Sequence, residues 1–226
     1  VQFKNNKEDY LKLIEEEMLP KIAKEGLTDY IDIFCEKGYF SVGDMERIVN
    51  AGKHYDLIPK VHVNQFNIIG GVPSAVKLGA LSVDHLEVVD QEDIDALKNS
   101  ATMPTLLPSC SFFLNIPYAP ARKMMSEGLP VCLASDYNPG STPSGNMNFV
   151  LSLACIKMKM NPEEAINAAT INGAYAMGIS KSEGSIAKGK KGNVFITKQI
   201  PCYAFLPYNF GHNTIKKVFI NGCEFK

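Results

Sequence analysis

The sequence predicts an α/β fold in which parallel strands alternate with helices. Five short apolar segments recur at intervals of about 20 to 30 residues, and a helical segment separates each from the next. Such βα units, joined by right-handed crossovers, build a parallel sheet. After Gly184 the pattern changes to short β segments. We therefore expect residues 1–183 to form the β/α part and residues 184–226 to form part of a small β appendage.

Each element has its own local justification. Gly26 is a stop signal for the first amphipathic helix, and Ser41 and Asp90, each followed three residues later by aspartate, resemble N-caps. The stretch "NPEE" supplies a cap, a proline and a capping-box glutamate for the last predicted helix, and "NG" at 221–222 is a hairpin signal. The predicted helices are 8–25, 41–52, 73–78, 90–97, 119–127, 146–160 and one from Asn161; the predicted strands are 30–36, 57–65, 80–88, 102–109 and 130–136.

Composition narrows the class of partner. The 23 basic and 24 acidic residues are spread along the chain and give a net charge of -1, so nucleic acid and membrane surfaces are not expected partners. A small-molecule substrate fits better. The six widely spaced cysteines form no C-x-x-C pair, which favours reduced thiols and a cytoplasmic location. The first residue is Val1 rather than Met, so we expect a piece of a longer protein.

Four predicted strands end in a residue that can bind metal or move protons: Glu36, His62, His85 and Asp136. In parallel α/β folds the carboxyl ends of strands line the ligand site. Imidazole and carboxylate are ligands of hydrolytic zinc or iron sites, so His62 and Asp136 could be two ligands, with His85 as a third ligand or an acid or base. Taken singly, a histidine at a strand end is more often a structural group than a ligand, but four such residues in register weaken that alternative.

The loop after Asp136 and a nearby arginine are further candidates. Pro139, Gly140 and Ser141 suit a loop that binds a polar or anionic group. The alternative is a tight turn that caps the following helix. Arg122 could pair with a substrate carboxylate or could simply be solvated. His54 is expected on the surface and His212 in a loop.

Several stretches together resemble imidazolonepropionases of the amidohydrolase superfamily. They are "KVHVNQF", "SVDHLE", "LLPSCSFFL", "YAPARKMMSEG", "ASDYNPGSTPSGNM" and "MNPEEAINAATINGAYAMG". The resemblance implies the C-terminal portion of a (β/α)₈ TIM-type barrel with part of a small β-sandwich. It also implies hydrolysis of 4-imidazolone-5-propanoate to N-formimidoyl-L-glutamate in histidine degradation.

The resemblance also assigns roles to residues. His62 and Asp136 would bind a zinc or iron ion, Asp136 would take a proton from the attacking water, and His85 would act beside the reacting carbonyl. Asn138, Gly140 and Ser141 would bind the substrate. Gln65 stands where the family has a glutamate; an amide can orient the substrate but cannot accept a proton.

The chain holds only about five βα units and lacks the family's H-x-H metal ligands. Five units cannot close an eight-stranded barrel, so we expect exposed sheet edges, a homo-oligomer, and poor metal binding and turnover by the chain alone. Two alternatives stay open. One is another amidohydrolase, such as a deaminase or a dihydroorotase-like enzyme, and the other is a non-catalytic α/β scaffold.

Overall fold

The computed structural model describes residue 3 and residues 6–225, and the chain divides into two compact units, Val1–Thr102 and Met103–Lys226. The helical segments are α1 (Lys7–Lys12), a π-helical segment (Leu13–Met18), α2 (Leu19–Glu25), α3 (Val42–Lys53), α4 (Gly71–Lys77), α5 (Gln91–Lys98), α6 (Pro108–Leu114), α7 (Ala121–Ser126), α8 (Met147–Ile156), α9 (Pro162–Ala169), α10 (Ile171–Ala176) and α11 (Phe205–Tyr208). The strands are β1 (Tyr30–Cys35), β2 (Ile58–Val63), β3 (Ser82–His85), β4 (Met103–Leu106), β5 (Cys132–Leu133), β6 (Val194–Thr197), β7 (Ile215–Ile220) and β8 (Cys223–Phe225).

The first predicted helix, 8–25, is continuous but not uniformly α-helical. A π-helical segment separates α1 from α2. Pro20 lies just after this segment and has no N–H to donate to the preceding turn, which accounts for the local change of hydrogen bonding. The helix stops at Gly26, whose φ of 62° closes the C-terminus in the left-handed conformation.

The first unit contains three parallel strands, β1, β2 and β3, with β2 hydrogen-bonded to the other two. Both predicted caps are confirmed as capping boxes: Ser41 with Asp44 begins α3, and Asp90 with Asp93 begins α5. In each box the side chain of one residue accepts from the backbone of the other, which satisfies two N–H groups that a helix start leaves unpaired.

One face of this sheet forms the core of the first unit. Val61, Val63 and Val83 are fully buried on it, as is Val72 of α4. Gly71 begins α4 directly against β2: a Cβ at this position would lie 2.5 Å from Cγ2 of Val63. Only glycine therefore lets α4 approach the strand this closely.

The second unit contains parallel strands β4 and β5 and helices α6 to α11. In this unit three elements end three or more residues before the predicted end. Strand 102–109 ends at Leu106, because Pro108 occupies the first turn of an unpredicted helix, α6. Strand 130–136 is reduced to Cys132–Leu133, and helix 146–160 ends at Ile156.

The end of the chain carries the expected β appendage. Strands β6, β7 and β8 form an antiparallel sheet in that order, and Asn221 and Gly222 turn the β7–β8 hairpin with φ of 50° and 79°. Positive φ at both central positions is the type I′ hairpin geometry. The domain boundary between 183 and 184 stays a prediction. None of the helices in residues 3 and 6–225 combines the length and the apolar character needed to cross a membrane.

Candidate metal and substrate site

His62 lies on the less buried face of β2 and is held by a carboxylate. Its Nδ1 is 2.9 Å from both carboxylate oxygens of Asp32 on β1. Since an ionised carboxylate only accepts hydrogen bonds, Nδ1 carries the proton and donates a hydrogen bond to Asp32. A metal would then bind through Nε2. Histidines that bind metals commonly donate their other ring N–H to a carboxylate in this way.

His85 is buried at the end of β3, close to His62. The two ring centroids are 5.4 Å apart with an edge-on orientation, and Nδ1 of His85 lies 3.4 Å from the Glu87 carboxylate. The structure thus brings together the two histidines that the sequence singled out. It also gives each of them a nearby carboxylate, Asp32 or Glu87, that the sequence analysis did not identify.

Gln65 lies after β2, between residues that are held in place by hydrogen bonds. Glu36, at the end of β1, is 1% exposed and accepts hydrogen bonds from the backbone N–H groups of Phe66 and Asn67 and from the Asn67 side chain. On the other side, Nδ2 of Asn64 donates to Asp93 at 2.7 Å. Both flanks of Gln65 are therefore fixed, and Glu36 is a structural anchor for this segment.

The backbone is strained after the strands that carry the candidate residues. Positive φ angles occur at Asn64 (58°), His85 (91°), Leu86 (64°) and Asp136 (53°). For residues with a side chain this conformation is uncommon and costs of order 1 to 3 kcal/mol. Strained positions of this kind cluster at functional sites, which strengthens the case for these strand ends.

In the second unit, Asp136 is held by its own loop. Oδ2 of Asp136 accepts from the Ser141 hydroxyl at 3.0 Å, and Oδ1 accepts from Nδ2 of Asn138 at 3.2 Å. Asn138 also accepts the N–H groups of Gly140 and Ser141, both at 2.8 Å. The loop is an Asx-type turn whose polar groups orient the carboxylate.

The substrate-binding role of Asn138, Gly140 and Ser141 stays a prediction. In the structure Asn138 and Ser141 hydrogen-bond each other and Asp136, and the backbone of Asn138 also pairs with Thr142. The two donors that the sequence assigns to a metal are the imidazole of His62 in the first unit and the carboxylate of Asp136 in the second, each oriented by hydrogen bonds. That donor chemistry fits zinc or iron, for which a catalytic site normally has three protein ligands and a water.

Arg122 has a structural partner. Its guanidinium forms a two-pronged contact with the Glu164 carboxylate, so it joins α7 to α9. The predictions for the remaining histidines are confirmed: His54 is exposed at the end of α3, and His212 is exposed in a loop.

Asp93 and Cys35 have strongly shifted titrations. Burial raises the pKa of the Asp93 carboxyl to about 6, and the charge of Asp90 adds to the effect while hydrogen bonds oppose it. Burial likewise raises the pKa of the Cys35 thiol to about 11. All six cysteines are free thiols; Cys35, Cys110 and Cys132 are buried, Cys155 is partly buried, and Cys202 and Cys223 are exposed.

Comparison with known proteins identifies similar chains. The sequence is 64% identical over 221 residues to imidazolonepropionase of Christiangramia forsetii and 65% identical over 221 residues to that of Flavobacterium psychrophilum. Each alignment covers 98% of this chain and 54% of the relative. The chain therefore spans about half the length of the curated relatives it matches.

Solved structures agree on the fold. An adenosine deaminase from Xanthomonas campestris with bound zinc superposes with a TM-score of 0.75 at 16% identity, covering 92% of this chain and 55% of that one. An A. niger ochratoxinase gives 0.74 at 19% identity, covering 96% and 54%. These likenesses confirm the predicted α/β class as a portion of the TIM-type barrel fold. The sequence model of the amidohydrolase family matches residues 4–224, and the chain belongs to that family.

Proposed function

We propose that this chain acts in the hydrolysis of the cyclic amide 4-imidazolone-5-propanoate to N-formimidoyl-L-glutamate. The observation that carries the proposal is the 64% and 65% identity to curated imidazolonepropionases along 98% of the chain. The hydrogen-bonded side chains of His62 and Asp136 support it, because imidazole and carboxylate are the metal ligands that such a hydrolysis uses. We also propose, as predicted from the sequence, that the protein forms a homo-oligomer and is located in the cytoplasm.

His62 and Asp136 would hold a zinc or iron ion. When bound, the metal would lower the pKa of a coordinated water to about 7 and so supply hydroxide at neutral pH. The imidazole of His62 is suited to this role because Asp32 fixes its tautomer. The carboxylate of Asp136 is suited because donors on both its oxygens fix its orientation.

The surrounding residues would position the substrate and move protons. Asp136 would accept the proton that the attacking water loses as its oxygen bonds to the ring carbonyl carbon. Its hydrogen bonds to Asn138 and Ser141 keep it aimed during that transfer. His85 would stabilise charge on the carbonyl oxygen or protonate the ring nitrogen as the C–N bond breaks. Gln65 would hydrogen-bond the substrate without taking a proton.

A chimaera tests the proposal directly. This chain replaces the matched segment of the Christiangramia forsetii relative, so that the length which the chain does not span is supplied by an imidazolonepropionase. We expect the chimaera to consume 4-imidazolone-5-propanoate and to release N-formimidoyl-L-glutamate, identified by mass. Ammonia release from a cyclic amidine substrate instead would favour a deaminase.

The control is the same chimaera with His54→Ala, since His54 is exposed and lies outside the site. We expect His54→Ala to leave turnover unchanged and His62→Ala to remove it. Equal turnover by a folded His62→Ala chimaera and the His54→Ala control would favour a scaffold role for this chain and overturn the proposal.

A further inference from the structure

We propose that Asp32 is a positioning residue for His62: it fixes the Nδ1–H tautomer of the imidazole and thereby presents Nε2 to the metal. The inference rests on the proposed function, which makes His62 a metal ligand, and goes beyond it by assigning a role to a residue on a different strand. Asp32 ends no strand and belongs to no motif, and only the pairing of β1 with β2 reveals it.

Strand register explains why the two side chains meet. In the parallel pairing of β1 with β2, Asp32 is opposite Lys60 and Phe34 is opposite His62. Side chains two residues apart share a face of a strand, so Asp32 and His62 lie on the same face and are diagonal neighbours. Diagonal neighbours in a sheet are within reach of each other when the side chains are long enough.

The contact has the geometry of an oriented hydrogen bond. Both Asp32 oxygens are 2.9 Å from Nδ1 of His62, and the His62 side chain is 30% exposed while that of Asp32 is 45% exposed. An exposed pair of this kind contributes little to stability. The pair instead determines which ring nitrogen of His62 carries the proton.

Two other carboxylates, one on β3 and one directly after β1, accept hydrogen bonds from other groups. Asp84, opposite His62 on β3, accepts the Ser82 hydroxyl at 2.8 Å. Glu36 accepts from the backbone after β2. Asp32 is the carboxylate that the described part of the chain places on Nδ1 of His62, and this arrangement is the one that raises the ligand strength of a metal-bound histidine.

The tautomer can be measured on the chain itself, without metal. The chain has only four histidines, so long-range ¹H–¹⁵N spectra of the imidazoles can be assigned by substitution. At a mildly alkaline pH, where the imidazole is neutral, we expect His62 in the Nδ1–H form. In Asp32→Ala we expect the Nε2–H form to predominate, because it is the usual form of an unconstrained imidazole. Asp29→Ala, which removes an exposed carboxylate next to β1, is the control and should leave the spectrum unchanged.

Metal affinity gives the second readout. In the chimaera described above, we expect Asp32→Ala to weaken Zn²⁺ binding by roughly 10- to 100-fold, as removal of such a partner typically does. Asp32→Glu, which restores a carboxylate, should recover part of the affinity. If Asp32→Ala does not fold, Asp32→Asn replaces it, with a smaller shift in the same direction expected.

Failure of this inference is distinct from failure of the proposed function. Any of three results would overturn the positioning role, even if the chimaera turns over substrate. They are an Nε2–H tautomer of His62 in the native chain, a tautomer that does not change when the carboxylate is removed, and a Zn²⁺ affinity that is unchanged in Asp32→Ala. A chimaera that lacks turnover while the tautomer responds as expected would contradict the proposed function alone.

Discussion

Replacing Asp93 by asparagine should remove a pH dependence of stability from the chain. Asp93 is 1% exposed in the first turn of α5, and burial raises its pKa from 3.8 to about 6. Its oxygen accepts from Nδ2 of Asn64 and from the N–H of Asp90. Asparagine keeps an acceptor oxygen for these donors but has no proton to gain or lose in this range.

The sign follows from proton linkage. The folded chain binds the Asp93 proton more tightly than the unfolded chain does, so protonation stabilises the fold. The stabilisation is complete below about pH 4 and is lost as the pH rises through about 6. A shift of about two units corresponds to about 3 kcal/mol, since each unit is worth 1.36 kcal/mol.

Urea denaturation at a series of pH values measures the effect. The free energy of unfolding of the native chain, minus that of Asp93→Asn, should fall by about 2 kcal/mol, most of the full effect, between pH 4 and pH 7. Asp44→Asn is the matched control, because Asp44 holds the same place in the α3 capping box. Burial opposes ionisation of Asp44, but hydrogen bonds from Lys7 and Ser41 outweigh it and lower the pKa. The stability that Asp44 contributes is therefore lost only at lower pH. A native-minus-Asp93→Asn difference that does not vary with pH would show that the folded chain does not raise the pKa of Asp93.

Three further outcomes can be checked on the chain. Gly71→Ala should lower the free energy of unfolding by about 1 to 3 kcal/mol, because the added Cβ would collide with β2. Gly43→Ala is the control and should not destabilise the chain, because its Cβ would meet the Ser41 hydroxyl oxygen only at 3.9 Å; urea denaturation compares the two variants. A thiol-specific disulfide reagent should label exposed Cys202 rapidly and leave Cys35 unmodified while the chain is folded, since Cys35 is buried with a raised pKa; equal rates would contradict the structure. The chain alone should bind Zn²⁺ weakly and turn over little substrate compared with the chimaera, because its two proposed ligands are fewer than the three of a normal catalytic zinc site. Stoichiometric zinc and robust turnover by the chain alone would contradict this.

The parts of the fold that local sequence determines were predictable. The two capping boxes depend on residues three positions apart, and the β7–β8 hairpin depends on the adjacent Asn221 and Gly222, so a sequence pattern is sufficient to place them. Helix α6 was missed because its apolar sequence follows a strand directly. Only Pro108 marks the change, and a proline there is equally compatible with a loop.

The sequence predicts candidate site residues from their types and their places near strand ends, as for His62, His85 and Asp136, but it does not predict the hydrogen bonds around them. Their partners depend on strand register or on side-chain rotamers, as the Asp32 contact with His62 illustrates. The positive φ at His85 could not be predicted either, because most histidines, like other residues with a side chain, have negative φ and no local pattern marks the exception.

The most direct test of the account is the turnover of 4-imidazolone-5-propanoate by the chimaera carrying Asp136→Asn. Asparagine preserves the size of the side chain but cannot accept a proton, and it is a weaker metal ligand. We expect the rate of N-formimidoyl-L-glutamate formation to fall by at least about 100-fold, the scale at which general bases contribute, with the fold intact by circular dichroism. A folded Asp136→Asn chimaera with the native rate and native metal content would contradict the claim that this strand end belongs to the active site.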